Sequence, residues 1–170
     1  MKTFYIAVES SDGGGCSTLS NALAKEIGAT RVVEPANDYI GILLRSHLKG
    51  AFNFPARYED EIRAHLFIAS RLAMQNEITE HLRTGHVVSD RSLLSTYVYQ
   101  HGVEWLDVTH RDVRPPDLMV LINTPPDVSF QRLHSRPHLE AFEDLESIRR
   151  HHKRYMGYAV DPPAPLADSE

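Results

Sequence analysis

Cysteine is almost missing from this chain: Cys16 is the only one in 170 residues. An internal disulfide is therefore excluded, and the composition suits a reducing compartment. No apolar run approaches the roughly 20 residues that a membrane span needs. The N-terminus enters a strand pattern at once, without the layout of a signal peptide. A cytoplasmic protein with no membrane partner is expected. Positive charge is also short, with 18 Lys and Arg against 23 Asp and Glu and a net charge of −5. Nucleic-acid binding needs clustered Lys and Arg on the backbone phosphates, so that partner class is not expected. A small anionic ligand needs only a few local cations. Ten histidines are present, but they are scattered without metal-ligand spacing, so no zinc site is expected. Repeats and interdomain linkers are absent. One domain over residues 1–160 is expected, with a flexible Pro-rich tail over 161–170.

The most telling absence is a lysine. An apolar run through Val8 ends in Glu9-Ser10-Ser11-Asp12-Gly13-Gly14-Gly15-Cys16-Ser17-Thr18, and a helical pattern follows. Strand, glycine turn and helix N-terminus together make an anion site, because backbone N–H groups converge there and the helix dipole adds partial positive charge. The phosphate-loop pattern G-x-x-x-x-G-K-[ST] uses Lys on the β/γ-phosphates and Ser/Thr on Mg²⁺. Here Ser10 stands at the first Gly, Gly15 at the second, Cys16 at the Lys and Ser17 at the hydroxyl ligand.

Four short continuous apolar runs, 3–8, 31–33, 86–89 and 117–123, read as strands covered on both faces. Helical patterns lie over 18–27, 40–48, 58–83, 93–101, 126–135 and 144–158. The first carries Leu19, Leu23 and Ile27 at i, i+4, i+8 and ends at Gly28, a natural C-cap. This alternation predicts a three-layer α/β sandwich with a central parallel sheet flanked by helices.

Five segments, in order, resemble the thymidylate kinase family of P-loop nucleoside monophosphate kinases. They are 8–18 itself; Glu34-Pro35 with Ile40-Gly41 and Leu43-Leu44-Arg45; Leu66-Phe67-Ile68-Ala69-Ser70-Arg71; Asp90-Arg91 with Ser95 and Tyr99-Gln100; and Pro116-Asp117-Leu118 through Pro126. The resemblance runs over most of the chain, from Lys2 to about Tyr158.

The resemblance implies roles. Gly13, Gly14, Gly15, Cys16, Ser17 and Thr18, with Arg132, meet the phosphates of ATP; Ser17 and Asp90 serve Mg²⁺; Arg91 bridges donor and acceptor phosphates. Asp12, Glu34, Leu48, Phe67, Arg71, Ser95, Tyr99 and Gln100 hold the acceptor nucleotide. Phe67 and Arg71 share one helix face at i and i+4, offering a ring to the base and a guanidinium to its 5′-phosphate. A lid over about 132–144 supplies Arg136 as a catalytic arginine. A homodimer through helices flanking the acceptor site is also implied.

The donor side departs from the family. Cys16 replaces Lys, Val33 stands where relatives often carry Arg, Ala36-Asn37 replaces Gly-Gly, and Ala141 replaces a lid arginine. Losing one charged contact to the transferred group slows such a reaction by about 10²–10⁴. Arg45, Lys49 and Lys153 are candidate substitutes. The leading expectation is ATP-dependent phosphorylation of dTMP or a modified deoxypyrimidine monophosphate. A catalytically weakened nucleotide-binding module and a deoxynucleoside kinase are the alternatives; Arg71, with no 5′-phosphate to meet in the last case, argues against it.

Overall fold

The computed structural model describes residues 2–100, 112–135, 143–161 and 163. Its centre is a four-stranded parallel sheet in the order β2-β3-β1-β4. The strands are β1 (Tyr5–Glu9), β2 (Thr30–Val33), β3 (Val87–Asp90) and β4 (Leu118–Leu121). β1 and β3 lie in the middle; all four residues of β3 are buried. That is why they read as unbroken apolar runs rather than alternating ones.

The connections are helical: α1 (Cys16–Ile27), α2 (Tyr39–Leu48), α3 (Glu59–Thr84), α4 (Leu93–Tyr99), α5 (Pro126–His134) and α6 (Leu145–Val160). A single turn of 3₁₀ helix over Ala56–Tyr58 leads into α3. Local chemistry sets the ends. Asp38 caps α2 by accepting from Gly41 N at 2.7 Å, and Asp144 caps α6 by accepting from Ser147 N at 2.9 Å. Gly28 closes α1 with its N–H on Ala24 O. The predicted α/β sandwich and all four strands are observed.

Helices cover both sheet faces. Val8 and Val88 pack on α1 through Cys16 and Ala24. Tyr5, Val32 and Val87 pack on α3 through Met74, Ile78 and Leu82. Behind β4, Leu94, Val98 and Tyr155 join α4 to α6. Because side chains alternate across a strand, residues 31 and 33 of β2 share the α1 face while Val32 takes the α3 face.

Helix α1 differs from its sequence pattern. It starts at Cys16, two residues before the expected start, and its buried residues are Cys16, Ser20 and Ala24. Leu19 and Ile27, two of the three expected apolar-stripe residues, are exposed. The reason is polar: Ser20 is wanted inside, where its hydroxyl accepts from Arg31 Nε at 2.9 Å.

In the register, Val8 lies opposite Asp90. The C-terminal ends of the two central strands therefore finish level, and their loops open onto one rim, where ligands collect in open α/β sheets.

Candidate active site

The loop after β1 is braced from three sides. Gly14 N donates to Ser11 O at 3.0 Å, Thr124 Oγ1 donates to Gly14 O at 2.9 Å, and α5 presses Ser129 O and Leu133 against Gly13. A Cβ at Gly13 would collide with Ser129 O. Gly15 precedes α1 at φ 105°, in the left-handed region that glycine tolerates. Ser17 and Thr18 follow, exposed in the first turn of α1, beside its outward-pointing N–H groups. The backbone is thus shaped as an anion cradle.

Cys16 takes no part in the cradle's surface. Its side chain is buried among Val8, Ala24 and Val88, and its thiol donates to Val8 O at 2.8 Å. Burial pushes the thiol well above its usual pKa; Arg91 opposes that shift, while Asp90 adds to it. The group is a neutral thiol turned inward.

Arg91 is the hub of the rim. It sits at φ 72°, a costly conformation for a non-glycine residue, worth about 1–3 kcal/mol. Its Nη1 donates to Ser10 O (3.1 Å), Ser95 Oγ (3.2 Å) and Tyr155 OH (3.2 Å); its Nη2 pairs with Asp12 at 2.6 Å. Beneath it lies Glu9, fully buried, accepting from Ser92 N and Oγ, Ser95 N and Oγ, and Tyr155 OH. Burial raises the Glu9 pKa, against the pull of Arg91, Ser95 and Ser92. This network ties the loop, α4 and α6 into one support for the guanidinium.

Next to the loop opens a cleft of about 390 Å³. Asp12, Glu34, Leu48, Phe67, Arg91, Ser95, Tyr99 and Gln100 all line it, as do Pro35, Arg45, Lys49, Thr96 and Glu143. Seven of the eight expected acceptor residues are thereby brought together. The eighth, Arg71, is not in the lining. It is 2% exposed, with Nε and Nη2 on Glu34 Oε2 at 2.8 and 2.5 Å, Nη1 on Thr96 Oγ1 and Nη2 on Ser92 O. Arg71 lies behind the wall and orients Glu34, whose other oxygen, Oε1, is buried with no hydrogen-bond partner among the described residues. A buried acceptor in a ligand cleft asks for a donor.

Other expected residues take their own places. Asp90 is 3% exposed and paired with Arg31 Nη2 at 2.5 Å. Arg132, exposed at the end of α5, reaches Gly13 O at 3.5 Å. Arg136, Ala141 and most of the expected lid lie outside the described residues, as does nearly all of the tail.

Residues 8–162 match the family model for thymidylate kinase. The chain belongs to the thymidylate kinase family. Relatives include a probable thymidylate kinase of Methanococcus aeolicus, 30% identical over 156 residues that cover 89% of this chain and 77% of that one. Another, from Pyrobaculum calidifontis, is 31% identical over 173 residues, covering 97% and 87%. Among solved structures, a thymidylate kinase from Candida albicans superposes with a TM-score of 0.77 at 18% identity, covering 95% of this chain and 81% of that one, which shows the shared fold. Membership supports a nucleotide-binding transferase of the nucleoside monophosphate kinase type. No helix among the described residues is long and apolar enough to cross a membrane.

Sequence reasoning missed Arg31, Glu9, Thr96, Glu143 and Tyr155 as site residues. Glu9 had a signal, since it ends the strand that feeds the loop. Tyr155 had none, because its partners lie 60 and 146 residues away. Arg45 and Lys49 were expected only as substitutes for the missing lysine; they line the cleft from the last turn of α2 and its C-cap, at i and i+4.

Proposed function

We propose that the protein transfers the γ-phosphoryl group of ATP to the 5′-phosphate of a deoxypyrimidine monophosphate, dTMP or a modified analogue. The observation that carries this reading is the position of Arg91, whose guanidinium bonds the loop at Ser10 O and also lines the cleft with Arg45. A planar cation there can touch two phosphates at once. Phosphoryl transfer asks for little more than in-line alignment and charge neutralisation. An acceptor phosphate oxygen bonds to the γ-phosphorus while the bond to the leaving ADP oxygen breaks.

The donor's phosphates rest on Gly13, Gly14, Gly15, Ser17 and Thr18, with Arg132 alongside and Arg136 as the candidate arginine of the lid. The exposed Ser17 hydroxyl would hold Mg²⁺ together with waters and phosphates, Asp90 in its pair with Arg31 would orient that shell, and the ion would neutralise phosphate charge. On the acceptor side, Phe67 and Leu48 face the base, Gln100 and Glu34 offer polar edges to it, and Asp12, Ser95 and Tyr99 crowd the sugar. The 5′-phosphate falls to Arg45 and Arg91, while Arg71 holds Glu34 in place towards the base. A homodimer is supported by apolar exposure on α2 and α3 at Tyr39, Ile42, Leu43 and Leu72.

Direct measurement of acceptor binding and phosphorylation over dTMP, dUMP, dCMP and thymidine tests the reading. A pyrimidine monophosphate is expected to be the preferred acceptor, and Phe67→Ala to weaken its binding by the about 1–3 kcal/mol of an aromatic–base stack. Phosphorylation of thymidine in preference to every monophosphate overturns it. A second reading, a nucleotide-binding module with little turnover, is favoured by the inward-turned thiol of Cys16.

A further inference from the structure

The loop lacks its lysine, yet a buried carboxylate stands beside it. Asp90 is 3% exposed at the C-terminal end of β3, opposite Val8, whose carbonyl accepts from the Cys16 thiol. A carboxylate held so far from water needs a paired cation. It also stands where the phosphates of a bound donor would be repelled by an uncompensated negative charge. Among the described residues, Arg91 is committed to Asp12, Ser10, Ser95 and Tyr155, and Arg132 touches the loop only at Gly13 O. The cation on Asp90 is Arg31. It reaches from edge strand β2, with Nη2 on Asp90 Oδ2 at 2.5 Å and Nε on Ser20 Oγ at 2.9 Å, one helical turn beyond Cys16. Its side chain is 28% exposed, so it is anchored but not sealed off. Position 31 shares a strand face with position 33, where this chain has Val33.

We propose that Arg31 is a positioning residue for the donor nucleotide: by pairing with Asp90 it cancels the negative charge beside a loop whose position 16 carries no lysine. The proposal rests on the phosphoryl-transfer reading. Arg31 compensates in charge rather than by contact. It neutralises Asp90, holds the carboxylate against α1, and keeps the field at the loop favourable for phosphates. Ser20, buried at the cost of the apolar stripe of α1, fixes the guanidinium from the other side.

Calorimetric titration of ATP–Mg²⁺ and, separately, of dTMP onto wild type, Arg31→Met, Arg31→Lys, Cys16→Lys and the double variant Arg31→Met/Cys16→Lys tests this. Arg31→Met is expected to weaken ATP by about tenfold, the effect of leaving the Asp90 charge unneutralised near the phosphates, and to leave dTMP affinity unchanged. Arg31→Lys should keep most of the affinity, and Cys16→Lys should restore it in the Arg31→Met background. Unchanged ATP affinity in Arg31→Met overturns the proposal. So does a parallel loss of ATP and dTMP binding with a lower melting temperature, the mark of a purely structural ion pair. Should Cys16→Lys not fold, the contrast between Arg31→Met and Arg31→Lys decides on the same criteria. Absence of ATP binding by wild type overturns the phosphoryl-transfer reading itself, and this proposal with it.

Discussion

Arg71 illustrates how far a side chain's role depends on its partner. On α3 it shares a face with Phe67, and the family resemblance rather than the spacing offers both to a ligand. The structure instead buries it against Glu34, 37 residues away in sequence. A buried pair is costly to break from one side, because the remaining charge is left uncompensated. Arg71→Met should therefore destabilise the fold by about 3–5 kcal/mol, with much of the loss recovered in Arg71→Met/Glu34→Leu. Urea unfolding of the single and double variants reads both values; a fully stable Arg71→Met contradicts the structural role. His151 offers a second test. It is 2% exposed against the ring of Tyr99, and burial lowers its pKa from 6.5 to about 4. The fold thus keeps the imidazole neutral where the unfolded chain would take up a proton. This contribution is complete above about pH 6.5 and is lost as pH falls from there towards 4, with a slope of at most about 1.4 kcal/mol per pH unit. Unfolding free energies measured between pH 7.5 and 4.5 should fall more steeply in wild type than in His151→Phe.

At the scale of elements, the loop and helix α1 act as one device. Gly15 holds φ 105° so that the turn can hand its N–H groups to the helix start. Alanine there is strained, so Gly15→Ala should weaken ATP binding while leaving dTMP binding near the wild-type value, as two separate titrations would show. The four strands were legible because each is a short unbroken apolar run, and burial on both faces leaves that trace in any parallel sheet. Seven residues that line the cleft were legible together because ordered motifs placed them on known elements. The face of α1 was not legible: Leu19 and Ile27 dominate its apolar periodicity, but Ser20 is drawn inward by Arg31, a partner that helical periodicity does not register. Tyr155 was hidden for the same reason, since its hydroxyl meets Glu9 and Ser95 only after α6 folds back over α4.

For the molecule as a whole, charge is arranged unevenly around one rim. The cleft holds Arg45, Lys49 and Arg91 with Asp12, Glu34 and Glu143, whereas the glycine loop carries no lysine and turns Cys16 into the core. The sheet brings both halves together at the level ends of β1 and β3. On the outside, α2 and α3 expose Tyr39, Ile42, Leu43 and Leu72. Sedimentation of wild type should give a dimer, and Ile42→Glu, which puts a charge into that apolar surface, should shift it towards monomer. A monomeric wild type removes the dimer from the account.

The central claim is that a phosphate loop without lysine still serves phosphoryl transfer. It is tested most directly by following dTDP and ADP formation from dTMP and ATP–Mg²⁺ with wild-type protein at concentrations comparable to substrate, beside Cys16→Lys. The account predicts that wild type forms both products in equal amounts, with Cys16→Lys faster or equal. Tight dTMP binding without product from wild type, with turnover appearing only in Cys16→Lys, would contradict it and leave a nucleotide-binding module in its place.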